Sequence, residues 1–415
     1  MPERADAAPP RDIWITGIGI LSSLGEGPEA HLAALEQNAV HADAATFAPF
    51  VIHPLPAVDF DKQIPKKGDQ RQMEPWQRIG VYAAGLALES AGLKGQPDIL
   101  SRTDMIVAAT GGERDIAVDD AIMAELAAGQ ADDKAIDDKA INERLMTDLR
   151  PTLFLAQLPN LLAGNISIVH GVTGSSRTFM GEEAAGIDAV RLAHARIAAG
   201  QSDIALVGGS YNAARKDMLM LYEFGGFNLK DRFAPVWERG PAGGLALGSM
   251  GAFLVLEAAD HARARGAAPF AKLTAVVSDR SRRGSPDDVQ QTLSRLWDRI
   301  GAAAADESRT AVISGATGAE PATAAEHAFL QQRGSLPVRA TGSRIGHGFE
   351  TQFPMNVALA ALAVRQGRLF PATPGTGAEA EMPAPLARAV VTGVGHWRGE
   401  GLALVERIEG AADAG

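Results

Sequence analysis

The sequence predicts an α/β protein made of two similar halves, and three observations carry that expectation. Short β-rich apolar runs alternate with longer Ala-rich segments of helical period along the 415 residues, which is the pattern of stacked βαβ units. The run IALV before Gly208 and Gly209 is apolar at every position, as a central strand buried on both faces must be. Two short echoes pair the first half of the chain with the second. Thr16-Gly17-Ile18-Gly19 recurs as Thr392-Gly393-Val394-Gly395, and Ala109-Thr110-Gly111-Gly112-Glu113 is answered by Ala316-Thr317-Gly318-Ala319-Glu320, each after an apolar run.

Taken in order, strands are expected at residues 13–16, 105–109, 204–207, 253–256, 311–314 and 390–392. Between them, residues 77–91 and 184–199 repeat apolar side chains at helical spacing. In the second, Ile187, Val190 and Ile197 share one face, and Gly200 supplies a C-terminal stop. A helix-like stretch at 258–268 marks the join. The expected division is a disordered start at 1–10, a first half at 11–260 and a second at 261–410.

Composition narrows the function classes. With 46% hydrophobic and 21% charged residues and a mean hydropathy of −0.02, the chain reads as an ordinary soluble protein with ample core. A net charge of −11 argues against general nucleic-acid binding, which needs a basic surface. The opening MPERADAAPP lacks an apolar core, and no run approaches the roughly 18 apolar residues of a membrane span, so a cytoplasmic protein is expected. There is no cysteine, which excludes disulfides, thiolate metal sites and thiol catalysis.

Common cofactor motifs are missing. Gly17-x-Gly19 follows a strand like a dinucleotide turn, but the third position is Ser22 and no acidic residue ends a second strand about 20 residues on. There is no phosphate loop and no HExxH. Glu320, Glu326 and His327 suggest a metal cluster only on paper, because Glu326 and His327 are adjacent on a helix and face different ways, the expected reading being a solvated helix. No cofactor and no metal are expected.

Residues 165–209, NISIVHGVTGSSRTFMGEEAAGIDAVRLAHARIAAGQSDIALVGGS, resemble without a gap the β-ketoacyl acyl-carrier-protein synthases of the thiolase superfamily. ITGIGILSSLG at 15–25, LALGSMGAFLVLEAADHARARGA at 245–267 and SRIGHG at 343–348 extend the likeness over nearly the whole chain in order. The resemblance implies the duplicated five-layer αβαβα thiolase fold and a dimer. It also implies a site of cysteine, two histidines, a lysine and a phenylalanine gate. Carried over residue by residue, the cysteine position holds Glu183, the first histidine Ala316, the lysine Gly342, the second histidine His347 and the gate His396. Thr341 and Phe179 fall at positions that the resemblance makes substrate-binding.

Losing the nucleophile removes an acyl-enzyme intermediate, and losing one oxyanion donor typically costs about 100- to 1,000-fold in rate. Glu183 opens a helix, where the macrodipole and backbone N–H groups lower a carboxylate's pKa and blunt it as a base. It is expected to pair with His347 or His396 and plug the site, acid/base catalysis being the alternative. Neighbouring Glu182 is expected to point elsewhere, and Glu350 either neutralises His347 or is a helix-start carboxylate. His396 is a gate, a partner for Glu183 or a loop residue.

Two charge features remain. Residues 132–143 read as a solvated helix or loop, and Lys66, Lys67, Arg71 and Arg78 form a basic patch whose expected reading is an exposed loop with no partner, docking of an acidic carrier protein being the alternative. In particular, the sequence resembles cysteine-less, chain-length-factor-like synthases of very-long-chain fatty acid synthesis for lipid A. That resemblance implies a silent subunit working with an acyl carrier protein, as a homodimer or paired with a cysteine-bearing ketosynthase paralogue. The other readings are a thioesterase or decarboxylase using Glu183 and His347, and a non-enzymatic acyl or carrier-protein binder.

Overall fold

The structure is a computed structural model that describes residues 10–113, 116–131, 138–148, 155–285, 287–301, 306–334 and 336–408. Among the described residues, the ten strands of three residues or more follow the chain as β1 (Ile13–Ser22), β2 (Asp104–Ala108), β3 (Ser176–Phe179), β4 (Ile204–Tyr211), β5 (Met250–Ala258), β6 (Ala271–Asp279), β7 (Thr310–Ser314), β8 (Val338–Ala340), β9 (Arg388–Val394) and β10 (Glu400–Glu406). They lie in one mixed sheet in the order β8-β7-β9-β10-β6-β1-β5-β4-β2-β3. β1 meets β6 only at Trp14↔Lys272 and Ile15↔Ala271, so two five-stranded sheets touch at a corner.

Those two sheets repeat each other. In the first, β3, β2 and β4 run parallel while β5 and β1 are antiparallel to their neighbours. In the second, β8, β7 and β9 run parallel while β10 and β6 are antiparallel. Each strand of the first therefore corresponds to the one five places later. The echo after β2 and β7 joins true equivalents. The other echo does not, because it sets β1 against β9 while the counterpart of β1 is β6.

Helices complete the layers. α1 (Pro75–Ser90) and α2 (Leu161–His170) cover the outer face of the first sheet, where Trp76, Val81, Leu88 and Leu162 pack on Val107, Leu206 and Val255. α3 (Glu182–Ala198) and α8 (Gln352–Gln366) lie between the sheets and contact each other and strands of both. Every residue of α8 from Gln352 to Val364 is buried, which only a helix covered on all sides shows. α5 (Ala259–Ala264) follows β5, and α6 (Asp287–Arg299) and α7 (Ala322–Gln331) cover the second sheet through Leu293, Leu296, Trp297 and Phe329. The result is the expected layering of helices, sheet, helices, sheet and helices.

Several local expectations change. Gly17 and Gly19 sit inside β1 and not in a turn, because α1 crosses there: a Cβ would lie 2.4 Å from the Ala87 carbonyl oxygen at Gly17 and 2.0 Å from that of Ala83 at Gly19. α1 begins two residues earlier than its apolar period suggests, with Pro75 in its first turn and a reciprocal Glu74–Gln77 capping box. Glu326 is fully buried on α7, where it accepts hydrogen bonds from Ser314 and Thr392. His327 stacks outside on Trp237, so the two do face different ways, but the helix is not a solvated one. Of residues 132–143, positions 132–137 lie outside the described residues, and Asp138–Thr147 is helical.

Candidate functional site

Strand β3 hands the chain to α3 through a sharp elbow. Gly181 has φ 128° and Glu182 φ 59°, two successive residues in conformations that cost an L side chain energy, and such strain persists only where the surroundings hold it. The hold comes from the second half of the chain. Gly186 lets α3 approach so closely that a Cβ there would lie 2.2 Å from the Glu350 carbonyl oxygen, and the Glu182 N–H donates to Glu350 Oε1 at 3.2 Å.

The elbow delivers Glu183 to a buried point where two histidines meet it. His347 comes from the Gly346–His347–Gly348 loop, anchored by its backbone N–H on the Ala246 carbonyl at 2.8 Å. Gly346 has φ 71°, and a Cβ there would meet Gly248 and His53 at 2.8 Å. His347 Nε2 donates to Glu183 Oε1 at 2.9 Å. His396 comes from the loop joining β9 to β10. Its Nδ1 faces Glu183 Oε1 at 3.0 Å and Oε2 at 3.2 Å, and its backbone N–H donates to Oε1 at 3.3 Å. Relative exposures of 3%, 1% and 5% for Glu183, His347 and His396 mean that the group is shut off from solvent.

Electrostatics assign the protons. Burial alone pushes the Glu183 carboxyl up, but the His396 charge and the hydrogen bonds from both histidines outweigh it and hold the group well below the usual carboxylate range. Burial pushes His347 down, so it stands neutral with Nε2–H toward Glu183. Burial also opposes charge on His396, yet the Glu183 and Glu182 carboxylates raise its pKa and favour the imidazolium. Glu350 is pushed up to about 7 by burial and by the neighbouring Glu183 and Glu182 charges.

The structure thus brings Glu183, His347 and His396 together. It also corrects the expectation for Glu182, whose carboxylate lies 3.8 Å from His396 Nε2 instead of pointing elsewhere. Glu350 contacts the elbow backbone and not His347. Ala316 packs with Val236 and Ala340. At Gly342 a Cβ would already lie 3.1 Å from the Ala316 carbonyl and from Val236, so that side of the site is filled and apolar. Thr341 is committed elsewhere: its hydroxyl donates to Asn356 at 2.7 Å and accepts from Gln352 at 3.0 Å. Phe179 ends β3 half-buried against the central core.

Sequence reasoning missed an aromatic wall. Phe227, Tyr222 and Phe349 stand edge-on around His396 at 5.2, 5.5 and 5.5 Å, and Tyr222 stacks on Phe349 at 4.5 Å. No spacing announces these residues, since they come from α4 (Lys216–Phe224), the loop after it and the turn before α8. Half-buried Arg239, pushed down to about 9 by desolvation, was also missed; it donates to the carbonyls of Ala234 and Gly244.

Among the described residues, Glu182, Glu183 and His396 bring one ligand-type atom each within 4.8 Å of one another. Both His396 nitrogens face carboxylates, so the imidazole acts there as a counter-ion. Chemically the cluster has a weak base, no thiol and a histidine N–H already spent on a carboxylate. It is suited to holding itself closed more than to attacking a thioester.

Comparison with known proteins adds the following. The sequence model of a family described as "Beta-ketoacyl synthase, N-terminal domain" matches residues 10–262. The chain is 26% identical over 276 residues to 3-oxoacyl-[acyl-carrier-protein] synthase 2 of Vibrio harveyi, covering 63% of this chain and 61% of that protein. It is 31% identical over 229 residues to the tetracenomycin polyketide synthase ketoacyl synthase beta subunit of Streptomyces glaucescens, covering 52% of this chain and 55% of that protein. The chain thus spans about three-fifths of the length of the curated relatives it matches. Among solved structures, the ishigamide ketosynthase/chain length factor superposes with a TM-score of 0.78 over 96% of this chain and 100% of that one, at 20% identity.

Proposed function

The chain belongs to the beta-ketoacyl synthase family, and from that premise we propose that it is a non-condensing subunit that sets acyl chain length for an active, cysteine-bearing synthase. The single observation that carries this reading is the buried Glu183 carboxylate, bonded to His347 and His396 where a nucleophile would need to be free. A condensing enzyme also needs donors for the enolate, and here Ala316 offers none while His347 is engaged.

The substrates of this reading are acyl and malonyl groups on an acyl carrier protein, with very-long-chain fatty acids for lipid A as the product class. The product class rests on the likeness of the RTFMGEEAAG elbow and SRIGHG loop to synthase-like proteins of that synthesis. For the carrier, an exposed basic patch is available at Lys66, Lys67 and Arg71, although Lys67 already pairs with Asp61 and Arg78 lies against Phe60. For the partner synthase, β3 ends the sheet with one side unpaired among the described residues, and Leu155, Leu158, Ile168 and Met180 are exposed in the segments that precede and follow it. An open strand edge with apolar neighbours favours pairing with another chain. We keep the division at 11–260 and 261–410, and a cytoplasmic site of action, as parts of the proposal; no described helix is long and apolar enough to cross a membrane.

The alternative, hydrolysis or decarboxylation using Glu183 and His347, is weakened by the low basicity of Glu183 and its exclusion from solvent. The test is mass spectrometry of acyl- and malonyl-carrier protein incubated with the chain alone and with a cysteine-bearing paralogue. Longer β-ketoacyl product only in the mixture is the expected result. Product or carbon dioxide from the chain alone refutes a silent subunit.

A further inference from the structure

The contacts of the elbow converge on one loop. Residues 395–399 reverse the chain between β9 and β10, and the tip of the reversal is outside: Trp397 is 65% exposed and Arg398 is exposed. His396 alone turns inward. Its Nδ1 faces Glu183 at 3.0 Å and its Nε2 faces Glu182 at 3.8 Å, while Phe227, Tyr222 and Phe349 enclose the ring. The His396 backbone N–H also donates to Glu183 Oε1 at 3.3 Å, and the loop is fastened at its ends, where the Gly395 N–H donates to the Gly399 carbonyl at 2.8 Å and Arg283 donates to the Gly395 carbonyl at 2.9 Å. Those ends are glycines for steric reasons. A Cβ at Gly395 would lie 2.0 Å from the Arg398 carbonyl oxygen, and one at Gly399, where φ is 86°, 2.7 Å from the Ala184 Cβ. The loop therefore lies directly on the first turn of α3.

We propose that His396 is a latch: held between the carboxylates of Glu183 and Glu182, it keeps the 395–399 loop shut over the N-terminus of α3, and removing the charge on either side lets the loop swing out about Gly395 and Gly399 and open the elbow. Glu183 then has a positioning role that does not depend on chemistry, since it is the fixed half of the latch. His347 steadies Glu183 from the other side through its own hydrogen bond to Oε1 at 2.9 Å. The charged groups facing the latch are Glu182 and Glu183 from α3, Glu350 from the turn before α8, Arg283 from the β6–α6 loop and Arg398 from the loop itself. The proposal concerns the same elbow as the function proposed above, but it needs only this chain, so it fails or stands independently of any carrier or partner synthase.

The absence of cysteine makes the test clean. Ala184 is 7% exposed beneath Gly399, so Ala184→Cys places a single thiol under the loop. Its reaction with an aromatic disulfide reagent is timed in that variant alone and combined with Glu183→Gln, His396→Gln or His347→Gln. Hydrogen exchange of amides 395–399 is followed in the same three substitutions without the cysteine. The latch predicts thiol labelling and loop exchange at least about tenfold faster for Glu183→Gln and His396→Gln, with His347→Gln close to the parent. Equal rates throughout overturn it, and so does equal acceleration by His347→Gln, which would mark general loosening. If the cysteine variant does not fold, the exchange rates alone decide.

Discussion

Glu183→Gln keeps the shape of the side chain and removes its charge, and its cost follows from the contacts it breaks. The carboxylate accepts three N–H groups, at 2.9, 3.0 and 3.3 Å, inside a closed site. Removing one partner of a buried ion pair costs about 3–5 kcal/mol when the other charge is trapped. His396 is not trapped, because it can release its proton at about 1.4 kcal/mol per pKa unit, which brings the expected loss to about 2–3 kcal/mol. With an unfolding entropy of about 2.1 cal/mol/K per residue, 415 residues give roughly 0.9 kcal/mol/K, so the melting temperature should drop by ~2–4 °C. The pH dependence has a definite sign. His396 has a raised pKa in the fold, so the pair's stabilisation is fully present below the ordinary histidine value of 6.5 and is lost as pH rises through the raised one. Calorimetry of both proteins from pH 6 to 9 should show a gap that is widest at the acid end. A variant as stable as the parent at pH 6, or a gap that widens with pH, refutes the assignment of an ion pair.

Gly186→Ala should destabilise by about 1–3 kcal/mol, because its methyl meets the Glu350 carbonyl at 2.2 Å, and thermal melting measures it. Glu183→Cys should not restore condensation, since Ala316 still lacks a donor worth about 100- to 1,000-fold; intact-protein mass spectrometry should find an acylated thiol at most, and no β-ketoacyl product. His31 is fully buried, with Nδ1–H donating to the Gly27 carbonyl and Nε2 accepting from Ser22, each at 2.8 Å, and burial pushes it down to about 4. The unfolded chain takes up that proton near pH 6.5 and the fold does not, so stability should fall by about 1.4 kcal/mol per pH unit between 6.5 and 4 on this residue's account. His31→Gln should flatten that limb in denaturant titrations by the same slope.

The strands and the long helices were legible because their apolar runs are buried by the fold in the way the pattern requires. β4 is buried at every residue, and Ile187, Val190 and Ile197 all face the core. What misled was glycine. TGIG reads as a turn, yet it lies within β1, where the missing side chains make room for α1. Sequence reasoning placed Glu183, His347 and His396 by resemblance, and weighed a pairing of Glu183 with one histidine. It did not foresee both at once, nor the return of Glu182 to the cluster, because φ 59° at Glu182 turns its side chain against the usual helical outlook. The enclosing aromatics were illegible for another reason: Tyr222, Phe227 and Phe349 meet only through tertiary folding and share no period.

The repeated sheets have a consequence for how such a centre can change. Glu183 is supplied by the first repeat, and Ala316, Gly342, His347 and His396 by the second, so the residues face one another across the seam of a duplicated chain. A change in one repeat is therefore felt as a change of environment in the other. Changing a single position leaves it surrounded by neighbours fitted to a carboxylate, and building a different centre there demands matched edits in both copies of the unit.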